Sequence, residues 1–325
     1  MRRSRPLVQT ALAAATLLTA TVPVSPAAAT PGRAPLIIGG RPASQPYPFM
    51  ASQQSRTSQR HGCGAVLIAP GWAVGVVHCA SPKVAHLLKL RLNSHDHQHG
   101  GEVVDIAEII PAPSGRRRGR RDLTLIRLAR PVKSRPVPIA ALTPAAGTPV
   151  RLLGWGRECR ADNCGPVTHL KELDTQVAEN SQCYGRKPWW ELCVAPGPRE
   201  QHVCNGDSGS PALVRTKMGW ELVGLTARSG AEPGQPLAAG ARSIRRCGAH
   251  SVIYTDVTVF RDWILRRAGL VKGQAPEDPV PADAVDGPTG PNGLVDVPED
   301  PDFPVDEALN PDQAVGPWAG KPVVG

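Results

Sequence analysis

Short apolar runs broken by turn-forming residues recur along the chain, as in Ala65-Val66-Leu67-Ile68 and Leu123-Thr124-Leu125-Ile126. Runs of this kind predict β-strands, and their frequent interruption favours a barrel or a sandwich. Aromatic residues are only 4% of the chain, so the core must rely on Val, Leu, Ile and Ala. The stretch from Ile37 to Leu270 could form two ordinary domains or one large all-β unit, and its length does not choose between them.

The two ends follow other patterns. Arg2, Arg3 and Arg5 precede an apolar stretch from Leu7 to about Ala20, and small residues follow at Ala27-Ala28-Ala29. This is the layout of a secretory signal peptide over residues 1–29, with cleavage expected after Ala29. No later run approaches the roughly 20 apolar residues of a membrane helix, so no membrane span is expected and the mature protein should be soluble and secreted. From Val271 onward Pro, Gly and acidic residues predominate over Lys272 and Lys321, so the net charge of +9 combines a basic body with an acidic tail. Residues 271–325 carry too few large apolar side chains to offset their ordering entropy, and disorder is expected there.

Export gives the eight cysteines a meaning. They stand at 63, 79, 159, 164, 183, 193, 204 and 247, and no close pair is followed by the Cys or His spacing of a zinc site. Four disulfides are expected in an oxidising compartment.

Candidate chemistry lies in Cys204-Asn205-Gly206-Asp207-Ser208-Gly209-Ser210-Pro211. Hydrolysis by a serine needs a hydroxyl, a base, a carboxylate to orient the base, and donors for the oxyanion. Ser208 stands between glycines that let backbone approach a substrate carbonyl, with the Gly206 and Ser208 N–H groups as oxyanion donors. Taken alone, such a segment is also an ordinary turn. His78 in Val76-Val77-His78-Cys79 offers the base, and Asp122, at the mouth of an apolar strand, offers the carboxylate.

In the order His78, Asp122, Ser208 these segments resemble the trypsin and chymotrypsin family of serine proteases, taken here as the bacterial secreted type. Ile37-Ile38-Gly39-Gly40, Gly154-Trp155-Gly156, Ile253-Tyr254-Thr255-Asp256-Val257 and Val259-Phe260-Arg261-Asp262-Trp263-Ile264 extend the resemblance from about Ile37 to Leu270. It implies an all-β protease domain over residues 37–270, built from two six-stranded antiparallel β-barrels and a C-terminal α-helix. It also implies an endopeptidase acting through an acyl-enzyme on a peptide or protein substrate, without a cofactor or metal. Ser208 would attack, His78 would carry the proton, and Asp122 would orient His78. The ammonium of Ile37, freed by cleavage, would pair with Asp207. Cys63 should pair with Cys79, Cys183 with Cys193 and Cys204 with Cys247, leaving Cys159 and Cys164 to close a small loop.

The chain also departs from the family. Leu36 precedes Ile37, so self-activation by cleavage after a basic residue is disfavoured; either residues 30–36 are a short propeptide for another protease to remove, or the signal peptidase cuts nearer Ile37. The substrate pocket, assigned to His202, Val203, Ala227, Arg228, Ser229 and Val252, has His202 where trypsin-like enzymes carry an aspartate. Val252 replaces a glycine, and Ala227-Arg228-Ser229 replaces Ser-Trp-Gly. Strict Arg or Lys specificity is therefore not expected; small or unusual side chains, or an acidic one if His202 is protonated, fit better.

The alternating His95, His97 and His99 are read as a solvated loop rather than a metal site, since no fourth ligand stands nearby. The run Arg116-Arg117-Arg118-Gly119-Arg120-Arg121 reads as an exposed loop with a weak suggestion of polyanion contact. The competing reading of the whole chain is a catalytically inactive relative that binds polyanions or a protein partner outside the cell.

Overall fold

Strand formation follows burial more than polarity. In β5 (Leu88–Leu92) the leucines face inward while Lys89 and Arg91 point outward, the period-two alternation of a half-buried strand. β2 (Met50–Ser55) is buried along its whole length although Ser52, Gln53, Gln54 and Ser55 are polar. Its polar groups find partners: Gln53 Nε2 donates to the Cys79 carbonyl at 2.9 Å, and Ser52 Oγ lies 2.8 Å from His61 Nδ1. A computed structural model describes residues 40–113, 121–157, 167–183, 185–187, 189–198, 201–230 and 251–271. The expected signal peptide (1–29) and propeptide (30–36), Ile37, Cys159, Cys164, Cys247, Arg116–Arg120 and residues 272–325 lie outside them.

The described residues form two antiparallel β-assemblies. In the first, β2, β3 (His61–Ala69), β4 (Trp72–Gly75), β7 (Thr124–Leu128), β6 (Glu102–Pro111) and β5 close into a six-stranded barrel in that order. In the second, β1 (Arg41–Pro42), β9 (Lys171–Gln176), β8 (Pro149–Gly154), β11 (Pro211–Thr216), β12 (Gly219–Ser229), β13 (Val252–Asp256) and β10 (Glu191–Val194) form a seven-stranded sheet. The all-β architecture agrees with expectation, but this second unit is not a six-stranded closed ladder. Its edges meet at one bridge, Val177 to Val194, where Ala178 N–H donates to the Cys193 carbonyl at 2.8 Å. The reason is that β1 occupies the first residues of the free edge of β9, at Lys171 and Glu172, and leaves β10 only the far end.

One apolar cluster runs from Leu67, Leu90 and Leu125 in the barrel to Leu153, Leu213 and Leu222 in the sheet, so the two units share a core. Helix α1 (Arg261–Arg267) buries Trp263 and Ile264 against it and ends before Gly269, whose φ of 67° suits a residue without a side chain. Disulfides join Cys63 to Cys79 and Cys183 to Cys193, as the resemblance implied. They close loops of 16 and 10 residues, each constraining the unfolded chain by about 3 kcal/mol. Cys204 is also disulfide-bonded. Among the described residues no helix is long and apolar enough to cross a membrane.

Candidate active site

β4 and β7 are neighbours with Gly75 opposite Thr124, so the turn after β4 and the residues before β7 emerge side by side. That register brings His78 and Asp122 together from 44 positions apart. His78 Nδ1 lies 2.7 Å from Asp122 Oδ2, and the backbone N–H of His78 donates to Oδ1 at 3.1 Å. Two bonds to one carboxylate fix both the ring and its backbone, and the Cys63–Cys79 disulfide anchors the adjacent residue to β3. Burial alone would lower the His78 ring, but the charge and hydrogen bond of Asp122 outweigh it and hold it above its ordinary value. Burial likewise pushes the Asp122 carboxyl up, and His78 more than reverses this, leaving it below the usual range.

Ser208 sits in a loop folded by Asp207 N–H to the Cys204 carbonyl and Ser210 N–H to the Asp207 carbonyl, both 2.9 Å. Gly206 and Gly209 take φ values of 97° and 76°, open to glycine and strained for other residues. A Cβ on Gly209 would lie 2.3 Å from the Gly64 carbonyl oxygen. The loop is held to the barrel where Gly64 N–H donates to the Ser208 carbonyl at 2.7 Å. Among the described residues neither the Gly206 nor the Ser208 N–H donates to a protein acceptor. No hydrogen bond joins the Ser208 hydroxyl to His78 among them either, a contact that commonly tightens only when substrate arrives.

Asp207 points away from solvent and is fully buried. Its carboxylate accepts the Gly156 N–H at 2.7 Å and the Cys204 N–H at 2.8 Å. Burial pushes it up to about 7, against those two bonds. Gly154 and Gly156 are required here by close approach, since a Cβ on either would sit about 2 Å from a carboxylate oxygen of Asp207 (1.8 and 2.1 Å). The Ile37 partner expected for Asp207 lies outside the described residues.

Of the residues assigned to the pocket, His202, Val203, Ala227 and Val252 are buried. Ser229 pairs with Val252 and Arg228 with Ile253 across β12 and β13, while Val203 packs in one cluster with Val252. Arg228 points its guanidinium at Glu191 of β10 and donates to both carboxylate oxygens.

Two expectations need correction. His97 is not solvated: it is buried, and its Nε2 donates to the Val167 carbonyl at 2.8 Å, because the loop lies against the second sheet through the Asp96–His169 bridge. His95 and His99 are exposed, as expected. Arg121 is not an open end of the basic run, since its guanidinium carbon lies 5.6 Å from the Trp190 ring centroid and 5.5 Å from that of Phe260.

Residues 37–264 match the family model described as Trypsin. The chain belongs to the trypsin family. This trypsin-family chain is 25% identical to trypsin iota of Drosophila melanogaster over 227 residues, covering 66% of this chain and 81% of the relative. It is 33% identical to granzyme M of Homo sapiens over 198 residues, 54% of this chain and 73% of the relative. With tryptase of Mus musculus it shares 27% over 257 residues, 70% of this chain and 87% of the relative. All three are animal proteins and lend no support to the bacterial type.

Sequence reasoning missed three parts of this trypsin-family site. His61 lies with Nε2 2.9 Å from the Gly206 carbonyl oxygen, across 145 positions. Gly64 has no room for a side chain, since a Cβ there would meet Ser210 Oγ at 2.2 Å. Glu191 holds Arg228. The adjacency of Gly64 to Cys63 was a usable signal for the second; the other two contacts join distant strands and leave no local mark.

Proposed function

We propose that the chain is a secreted serine endopeptidase with His78, Asp122 and Ser208 as its catalytic residues. His78 Nε2 takes the Ser208 proton as Oγ attacks the peptide carbonyl, while Nδ1–H stays on Asp122 Oδ2, which stabilises the imidazolium. The oxyanion forms against the Gly206 and Ser208 N–H groups. His78 then returns the proton to the leaving amine, and water repeats the sequence on the acyl-enzyme.

The observation that carries this reading is the pair of uncommitted N–H groups on either side of Asp207. Both belong to the segment that carries Ser208, which the Gly64 N–H holds to the barrel that also carries His78 and Asp122, and two free donors beside a serine hydroxyl are what an oxyanion requires.

Activation fits the same frame. Cleavage before Ile37 by a separate protease would deliver an ammonium to the buried Asp207 carboxylate, and such a pair would order the Gly206–Ser208 loop. Specificity is read as not strictly for Arg or Lys, since the buried His202 offers no fixed negative charge at the pocket position. The test is digestion of an unfolded protein substrate by the chain processed at Ile37. Ser208→Ala should lower the rate on the order of 10^6-fold; equal digestion by both forms would favour the binding relative instead.

A further inference from the structure

Arg228 is one of the residues in which this chain departs from the pattern it otherwise follows, and a carboxylate and a carbonyl hold its guanidinium. β11 pairs with β12 only as far as Leu225, and Thr226 is taken up by Gly209 and Ser210. Residues 227–229 therefore run on beside the nucleophile loop with no strand on that edge among the described residues. An extended peptide adds to such an edge by main-chain hydrogen bonds, and the side chains of the edge strand then read its side chains.

Arg228 is the more exposed member of an ion pair at that edge. Glu191 is nearly sealed, with its side chain 6% exposed against 30% for Arg228. Its oxygens are occupied by the guanidinium and by the Lys187 N–H. The guanidinium has five N–H donors. Three are used: two on Glu191 and one on the Gly185 carbonyl at 2.9 Å. Two donors remain among the described residues, on a group held rigid by its carboxylate, which reduces the entropy lost when a second acceptor arrives. Arg228 follows Thr226 by two residues, and the Thr226 carbonyl accepts the Gly209 N–H at 2.8 Å, so it stands near the Ser208 segment rather than on a remote face.

We infer that Arg228 is a specificity-determining residue, and that its Glu191-held guanidinium selects substrates carrying Asp or Glu on the N-terminal side of the scissile bond. The basic body adds in the same direction by concentrating acidic chains near the cleft. The inference rests on the endopeptidase reading and adds a substrate class to it.

The test uses the full chain processed at Ile37. Covalent labelling by a fluorophosphonate first establishes that Ser208 is reactive; no labelling overturns both readings together. A randomised peptide library then finds the preferred upstream position, and matched peptides with Glu or Gln there give a selectivity ratio in kcat/KM. The expected ratio for the wild type is roughly five- to tenfold in favour of Glu, falling with added salt. Arg228→Gln should bring it near one, and Arg228→Glu should invert it toward Lys or Arg. A labelled wild type with no acidic preference overturns the inference and leaves the protease reading standing. So does an Arg228→Gln enzyme that loses rate on both peptides equally, the mark of a purely structural role.

Discussion

His61 Nε2 lies 2.9 Å from the carbonyl oxygen of Gly206, while its Nδ1 lies 2.8 Å from Ser52 Oγ. A carbonyl only accepts, so Nε2 carries the proton and Nδ1 accepts from the serine hydroxyl. The neutral ring is thereby satisfied on both sides and ties β3 to the loop that holds Ser208. Burial lowers the ring to about 3, helped by His97, whose ring centroid is 5.1 Å away.

Acid stability follows from that depression. A histidine neutral in the fold and ordinary when unfolded contributes stability that is whole above about 6.5 and lost as pH falls toward 3. His61→Gln should therefore lose less stability than the wild type between pH 7 and pH 4, by at most about 3 kcal/mol. Urea unfolding at the two pH values measures it; parallel losses in both proteins would contradict it.

Asp207 gives the opposite sign before processing. With no ammonium beside it, a carboxyl raised to about 7 contributes stability that is full below its unfolded value near 3.8 and lost as pH rises through 7. The unprocessed chain in a Ser208→Ala background should lose up to about 4 kcal/mol across that window. After cleavage before Ile37 the slope should reverse, because the ammonium favours the ionised form. Thermal unfolding of the two forms from pH 4 to 8 compares them directly.

Asp122→Asn should lower kcat by roughly 10^4 at neutral pH, since an amide stabilises neither the imidazolium nor the required tautomer. In the wild type, His78 sits above its ordinary 6.5 because Asp122 outweighs burial, so kcat/KM should rise with pH through a value above 6.5. A rise centred below 6.5 would show that Asp122 does not hold the ring.

Gly64→Ala tests the grip on the nucleophile loop. The new methyl would lie 2.9 Å from both the Cα and the N of Ser210, so a rotamer change cannot relieve it. A loss of about 1–3 kcal/mol and weaker Ser208 labelling are expected, read by thermal unfolding and probe incorporation on one sample.

Much of the fold was legible because apolar runs such as 65–68 and 123–126 fall inside β3 and just before and within β7, and these residues are continuously buried. β2 was not, since its Ser and Gln residues look like surface until the Cys79 carbonyl and His61 supply their partners. The histidines at 95–99 misled in the same way: local polarity suggested solvent, and His97 is buried by residues 70 positions later. At the site, His78 and Asp122 were found from short motifs, and the β4–β7 register explains why they meet. Glu191 and His61 act through contacts that exist only once the strands are assembled, so residue type alone did not mark them.

The central claim is that Ser208 is a nucleophile poised by His78 and Asp122. The most direct measurement is the mass of the peptide containing Ser208 after the chain processed at Ile37 is treated with a fluorophosphonate. The account predicts one adduct, located on Ser208, absent in Ser208→Ala and strongly slowed in His78→Ala. An adduct on another serine, or none on a correctly processed and folded chain, would contradict it.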